Sequence, residues 1–180
     1  MRATLREFLP TIMFLGKFLG IFLVSSILYG AYVTAFEPGP DPVTSVVAQH
    51  TSNALAICGW NTSVHDNVRK PTTEIDYQNK SILSIYEGCN GINVMIIFVA
   101  FLMAFGPVNK RLLWYIPLGL LILHLCNLFR ISALFWVSMN KPDFMYFLHK
   151  YFFTAALYVV TFLLWVIWVR MYLPAKTART

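Results

Sequence analysis

Charge is what this sequence has least of. Asp, Glu, Lys and Arg make up 12% of its 180 residues, about half their share in an ordinary soluble domain. That is too little to cover the surface of a water-soluble fold of this length. Cysteine is also scarce: the count is 3, an odd number that excludes a complete disulfide framework and leaves room for one pair and a free thiol. No internal repeat, low-complexity tract or long linker divides the chain, so residues 1–180 read as a single domain. What is abundant is apolar. Hydrophobic residues reach 58% and aromatics 16%, the mean hydropathy is +0.62, and many aromatics flank the apolar runs, where a membrane interface favours them. Most of the surface is expected to face lipid.

Four apolar runs are expected to cross the membrane, giving an all-α polytopic fold. They cover about residues 11–35, 90–106, 112–137 and 148–169, with an external loop subdomain over about 36–88. At about 1.5 Å per residue the first, third and fourth span a hydrocarbon core of about 30 Å. The second reaches that length only if Cys89 to Gly91 begin the helix. The bases Arg2, Arg6, Lys17, Lys110, Arg111, Arg170, Lys176 and Arg179 gather at one set of helix ends, opposed by Glu7 alone. The positive-inside rule puts those ends, and both termini, in the cytoplasm. The formal net charge of +6 is thus a topology signal. Bases split among short membrane-flanking segments form no groove for nucleic acid, which is excluded as a partner.

In the external loop, Val43, Val47, Ala54 and Ile57 recur with helical spacing behind Asp41 and Pro42, a cap and first-turn pair. Further on, Ile75 with Tyr77 and Ile82 with Ser84 alternate around "QNK", the pattern of a hairpin. His65, in "VHDN", reads as a solvated loop residue.

Three chemically potent side chains fall at one expected depth near the external face. Cys89 precedes the second crossing, Arg130 lies late in the third, and His149 begins the fourth. A thiol in a first helical turn faces backbone N–H groups that stabilise thiolate. A histidine in a first turn is held off protonation by the same dipole and suits a general base. An arginine offers rigid donors to an oxygen that becomes negative on nucleophilic attack. Asn127, one turn before Arg130, is placed to orient His149 or hold Arg130. Gly88 and Gly91 would let a substrate backbone approach. His124 and Cys126, offset by two residues, are expected to pack or to make an inter-helix hydrogen bond. No metal or cofactor is expected. A disulfide from Cys58 to Cys89 would consume the nucleophile.

These residues carry a resemblance. "CNG" at Cys89, "NLFR" ending at Arg130 and "FLHKY" around His149, in this order, resemble the exosortase/archaeosortase family of membrane-embedded cysteine transpeptidases. The small size is most similar to the compact exosortase F type of Bacteroidetes. Asn90 stands where serine is commoner in the family, and larger members have about twice as many helices. The resemblance implies that Cys89 forms a thioester with its substrate, assisted by Arg130 and His149, in a bacterial inner membrane with the site facing the periplasm. It also implies the partner: an exported protein with a C-terminal sorting signal made of a recognition motif, a transmembrane helix and a basic tail. The product would pass to a cell-surface acceptor or to water, and a small membrane partner could complete the site. The competing reading is a noncatalytic membrane assembly or transport subunit using Arg130 and His149 as buried polar contacts.

Overall fold

The computed structural model describes residues 2–106 and 108–177, with side chains over 8–106 and 108–171. Arg179 and the side chains of Arg2, Arg6, Glu7 and Lys176, used above for orientation, lie outside that range.

The protein is mostly α-helical, and three of its helical stretches are long and apolar enough to cross a membrane: Phe8–Thr34, Lys110–Asn140 and Pro142–Met171. Helix α1 (Arg2–Thr34) starts earlier than the sequence pattern suggests. Its sides are largely exposed hydrophobic groups such as Leu23, Ile27 and Leu28, a surface that water would penalise and lipid solvates. It packs on α3 (Ile92–Phe105) through Phe14 and Phe18, whose rings meet the edge of Phe101.

Helix α3 has 14 residues, which at 1.5 Å each is about 21 Å, short of a hydrocarbon core of about 30 Å. Cys89 to Gly91 do not extend it as expected. Glu87–Cys89 form a separate 3-10 turn, and Gly91 breaks the path with φ of +86°. Helix α4 (Lys110–Asn140) is capped by Asn109, whose side chain accepts from the Leu112 N–H, and it extends beyond 112–137 at both ends.

The last membrane-length helical stretch, expected over 148–169, begins earlier, at Pro142. A 3-10 turn at Pro142–Phe144, the short α5 (Met145–Phe147) and a π-helical turn at Leu148–Phe152 lead into α6 (Phe153–Thr177). His149 therefore sits in the π turn and not at a helix start. Its carbonyl accepts from the Thr154 hydroxyl at 3.0 Å. The first core cluster lies where α3, α4 and α6 meet, around Phe98, Leu123, Leu164 and Trp168.

Residues 36–88 hold more structure than expected, and the fold is not all-α. Helix α2 (Pro42–Ile57) follows Asp41, whose carboxylate accepts from the Val43 and Thr44 N–H groups, so the expected cap is present. The buried face differs. It is Thr44, Val47, Ala48, Thr51 and Leu55, while Ile57, the last residue of the helix, is 89% exposed.

The anticipated hairpin is β2 (Thr73–Tyr77) with β3 (Lys80–Ile85). Gln78 and Asn79 both take positive φ, as a two-residue turn between twisted strands requires. A further strand, β1 (Thr62–Asp66), completes an antiparallel sheet in the order β1-β2-β3. His65 is therefore on a strand, not in a loop. The sheet and α2 close on the late part of α4 in a second core cluster of Val47, Leu55, Ile75, Ile85, Ile131 and Phe135 that also takes in Cys89.

Candidate active site

Cys89 stands where the sheet gives way to the membrane helices. After β3 the chain makes the Glu87–Cys89 turn, closed by the Cys89 N–H donating to the Tyr86 carbonyl at 2.8 Å. Asn90 then anchors the turn from beneath. Fully buried, it donates to the Tyr29 hydroxyl of α1 at 2.6 Å and to the Thr44 hydroxyl of α2 at 3.0 Å, and its carbonyl oxygen accepts from the Ile92 N–H at 3.0 Å. Thr44 in turn donates to the Asp41 carboxylate at 2.6 Å. A buried polar chain thus ties three helices to the residue after the cysteine, and such chains rigidify when every member is paired.

Asn127 holds the same turn from α4. Its amide donates to the Cys89 carbonyl at 2.9 Å, so it positions the cysteine backbone and neither orients His149 nor holds Arg130, as the sequence suggested. The two glycines also act differently from expectation. A Cβ on Gly91 would meet the Asn127 amide at 3.1–3.2 Å, in addition to the strain of its left-handed backbone. A Cβ on Gly88 would fall 2.3 Å from the Tyr86 ring. At both positions a side chain would therefore crowd the turn itself.

Cys89, Arg130 and His149 line one cavity of about 470 Å³, which Tyr86 and Tyr146 also border. The Cys89 Sγ is 3.3 Å from His149 Nε2, within reach of a thiol-to-imidazole hydrogen bond. Cys89 is 6% exposed and Arg130 is 8% exposed. Arg130 makes no ion pair among the described residues, and its Nε is buried without a hydrogen-bond partner. A guanidinium held this way beside a thiol is costly unless an anionic or carbonyl oxygen comes to it.

The expected dipole-lowered thiol is not what the environment produces. Burial pushes the Cys89 thiol up, and the Arg130 charge pulls it back in part, followed by the Tyr86 backbone and hydroxyl. Cys89 lies in its own 3-10 turn and not in the first turn of α3. The Tyr86 phenol is pushed up in its turn, chiefly by the Cys89 charge. Both shifts favour the neutral forms, thiol over thiolate and phenol over phenolate.

Tyr86, Tyr29 and Thr44 are site residues that sequence reasoning missed. Only the position of Tyr86, three residues before the cysteine in "YEGC", signals one of them. The other titratable side chains lie apart from the cavity. His124 does make an inter-helix contact, its Nε2 lying 3.1 Å from His50 Nδ1 of α2, and Cys126 packs against the first core cluster. All three cysteines are free. His65, Glu74 and Asp76 bring ligand atoms within 4.8 Å of one another across β1 and β2, and His65 Nδ1 is 2.8 Å from the Asp76 carboxylate. This pairing depends on His65 lying on β1, which the loop reading of "VHDN" does not provide.

Compared with known protein families, residues 7–170 match the family model described as transmembrane exosortase (Exosortase_EpsH). No curated protein and no solved structure matches the chain.

Proposed function

Because this chain belongs to the transmembrane exosortase family, we propose that it is a membrane-embedded cysteine transpeptidase that removes the C-terminal sorting signal of an exported protein. Membership carries the coarser part, a peptidase-like role in processing sorting signals. The observation that carries the finer part is the 3.3 Å approach of Cys89 Sγ to His149 Nε2 in a cavity that Arg130 also lines.

In this reading His149 Nε2 takes the thiol proton as Cys89 attacks the scissile carbonyl carbon. The carbonyl oxygen becomes an anion and accepts hydrogen bonds from the Arg130 guanidinium, whose Nε is buried without a partner among the described residues. When the C–N bond breaks, the departing amine receives the proton from His149, leaving a thioester on Cys89. An amine or hydroxyl on a cell-surface acceptor, or water, then attacks the thioester. Its proton passes through His149 to the leaving sulfur, which regenerates the thiol. Asn127 and Asn90 hold the Cys89 turn in place.

The proposed setting is a bacterial inner membrane with four crossings, both termini cytoplasmic, and the α2-sheet unit with the site on the periplasmic side. Residues 1–180 act as one domain. The substrate's recognition motif would then lie beside Cys89 while its basic tail stays inside with Lys110, Arg111 and Arg170.

The test is co-expression of this chain, as wild type or Cys89→Ala, with an exported protein from the same host that carries such a signal. Wild type is expected to remove the C-terminal helix and leave a defined new C-terminus, and Cys89→Ala to leave the protein intact. Equal processing by both would refute the nucleophile assignment.

A further inference from the structure

The cavity beside Cys89 has a wall that the chemistry above does not use. Leu83, Ser84, Ile85 and Tyr86 all line it. Successive residues of a strand point to opposite faces, so a cavity bordered by four in a row lies along the strand's edge, where the backbone is presented. The sheet order β1-β2-β3 leaves that edge of β3 without a partner strand.

The opposite edge of the sheet is treated differently. Strand β1 is held at both ends by α2, with Ser52 bonded to Thr62 and Ser45 to Asp66. On β3, the Ser138 hydroxyl of α4 covers only the Ile82 carbonyl, at 3.1 Å. Among the described residues no hydrogen bond from outside the sheet reaches Leu83, Ser84 or Ile85. From Leu83 onward the edge opens into the cavity and runs straight into the Cys89 turn.

We infer that the segment of the substrate preceding its membrane helix docks in extended form as a fourth strand along the Leu83–Tyr86 edge, which presents its scissile carbonyl to Cys89. The inference rests on the transpeptidase reading and names how that site holds its substrate. The last three residues of β3 and the extended Tyr86 after them give about 13 Å of pairing, enough for a short recognition motif. Main-chain hydrogen bonds would supply affinity, and side chains at alternate positions would supply specificity. Pairing would also fix the peptide's register relative to the sulfur, the positional control that attack on one bond requires. The occupant is an extended peptide because a helix, whose backbone groups are already paired internally, offers nothing to a strand edge.

The experiment uses the full chain in membranes, carrying Cys89→Ala, with a photo-cross-linking amino acid at Ser84 or, as control, at Ser63 on β1. The exported sorting-signal protein of the same host is co-expressed. A cross-link from position 84, absent from position 63, is expected, and it should map to residues just before the substrate's membrane helix. A synthetic decapeptide copying those residues should compete with the cross-link. N-methylation of its backbone should weaken competition about three- to tenfold at alternate positions and leave the intervening ones unchanged.

No cross-link from position 84, an unmodified peptide that does not compete, or N-methylation effects without alternation would each overturn the docking mode. If the cross-link and the alternation are found but the Cys89→Ala chain still cuts its substrate, the nucleophile assignment fails and the docking mode stands.

Discussion

At the scale of the residue, the account turns on the acidity of one thiol. Burial raises the Cys89 thiol above its ordinary value, and the Arg130 charge is the largest influence opposing this. A raised value means less thiolate at neutral pH, so alkylation of Cys89 in the substrate-free protein should rise with pH through a midpoint above the ~8.5 of an unperturbed cysteine. Arg130→Gln should move that midpoint further up. Tyr86→Phe should move it the same way by less. In the processing reaction Arg130→Gln should lower the rate about 100- to 1,000-fold, the usual loss on removing an oxyanion donor. Iodoacetamide labelling followed by mass spectrometry across the pH range provides the check, and a midpoint that falls in Arg130→Gln would contradict the assigned electrostatics.

The identities of Cys89, Arg130 and His149 were legible in the sequence because their types and depths coincide. Their electrostatics were not. Whether a thiol faces a helix N-terminus depends on whether its turn belongs to that helix, and the single left-handed residue Gly91 decides that it does not. The role of Asn127 was hidden for a related reason. Helical spacing places it on the face of Arg130, but only the tertiary approach of the Cys89 carbonyl selects its partner.

At the scale of the element, the helices that carry the site must cross closely. Gly119 is the contact point between α4 and α3, since a Cβ there would fall 2.2 Å from the Phe98 ring, itself fully buried in the core. Gly119→Ala should therefore overpack this crossing and cost about 1–3 kcal/mol. The thermal unfolding midpoint in detergent should drop, and an unchanged midpoint would mean that the ring has room to move.

Apolar runs gave the long helices directly because length and hydropathy suffice for them. Strand β1 escaped because "TSVHD" carries one apolar residue in five, and its pairing comes from β2 and from hydroxyl contacts with α2. The last helical stretch begins earlier than the sequence suggests because "SMNKPDF" reads as a polar turn, while Pro142 in fact opens a helical turn. The resulting π turn, which sets His149 opposite the thiol, has no sequence signature that periodicity could detect.

At the scale of the whole molecule, the apolar exterior fits a multi-pass membrane protein, and the proposed orientation rests on the distribution of bases. Exposed groups such as Trp114, at 81%, and Phe129, at 72%, lie on helices long enough to span lipid. The α2-sheet unit then sits on one side of the membrane, and the proposal places it outside. Cys58, an exposed free thiol at the end of α2, reports on this. In a chain carrying Cys89→Ala and Cys126→Ala, a membrane-impermeant maleimide applied to intact spheroplasts should label Cys58 without permeabilisation. Labelling only after the membrane is opened would invert the topology and remove the site from the face where exported proteins arrive.

The central claim is that Cys89 becomes covalently bonded to its substrate. The most direct measurement is mass spectrometry of the full chain isolated after co-expression with the exported sorting-signal protein. The account predicts a peptide containing Cys89 joined through a thioester to the new C-terminus of the substrate, released by hydroxylamine and absent from Cys89→Ala. A substrate cut at the same bond by the Cys89→Ala chain, with no adduct on the wild type, would contradict it.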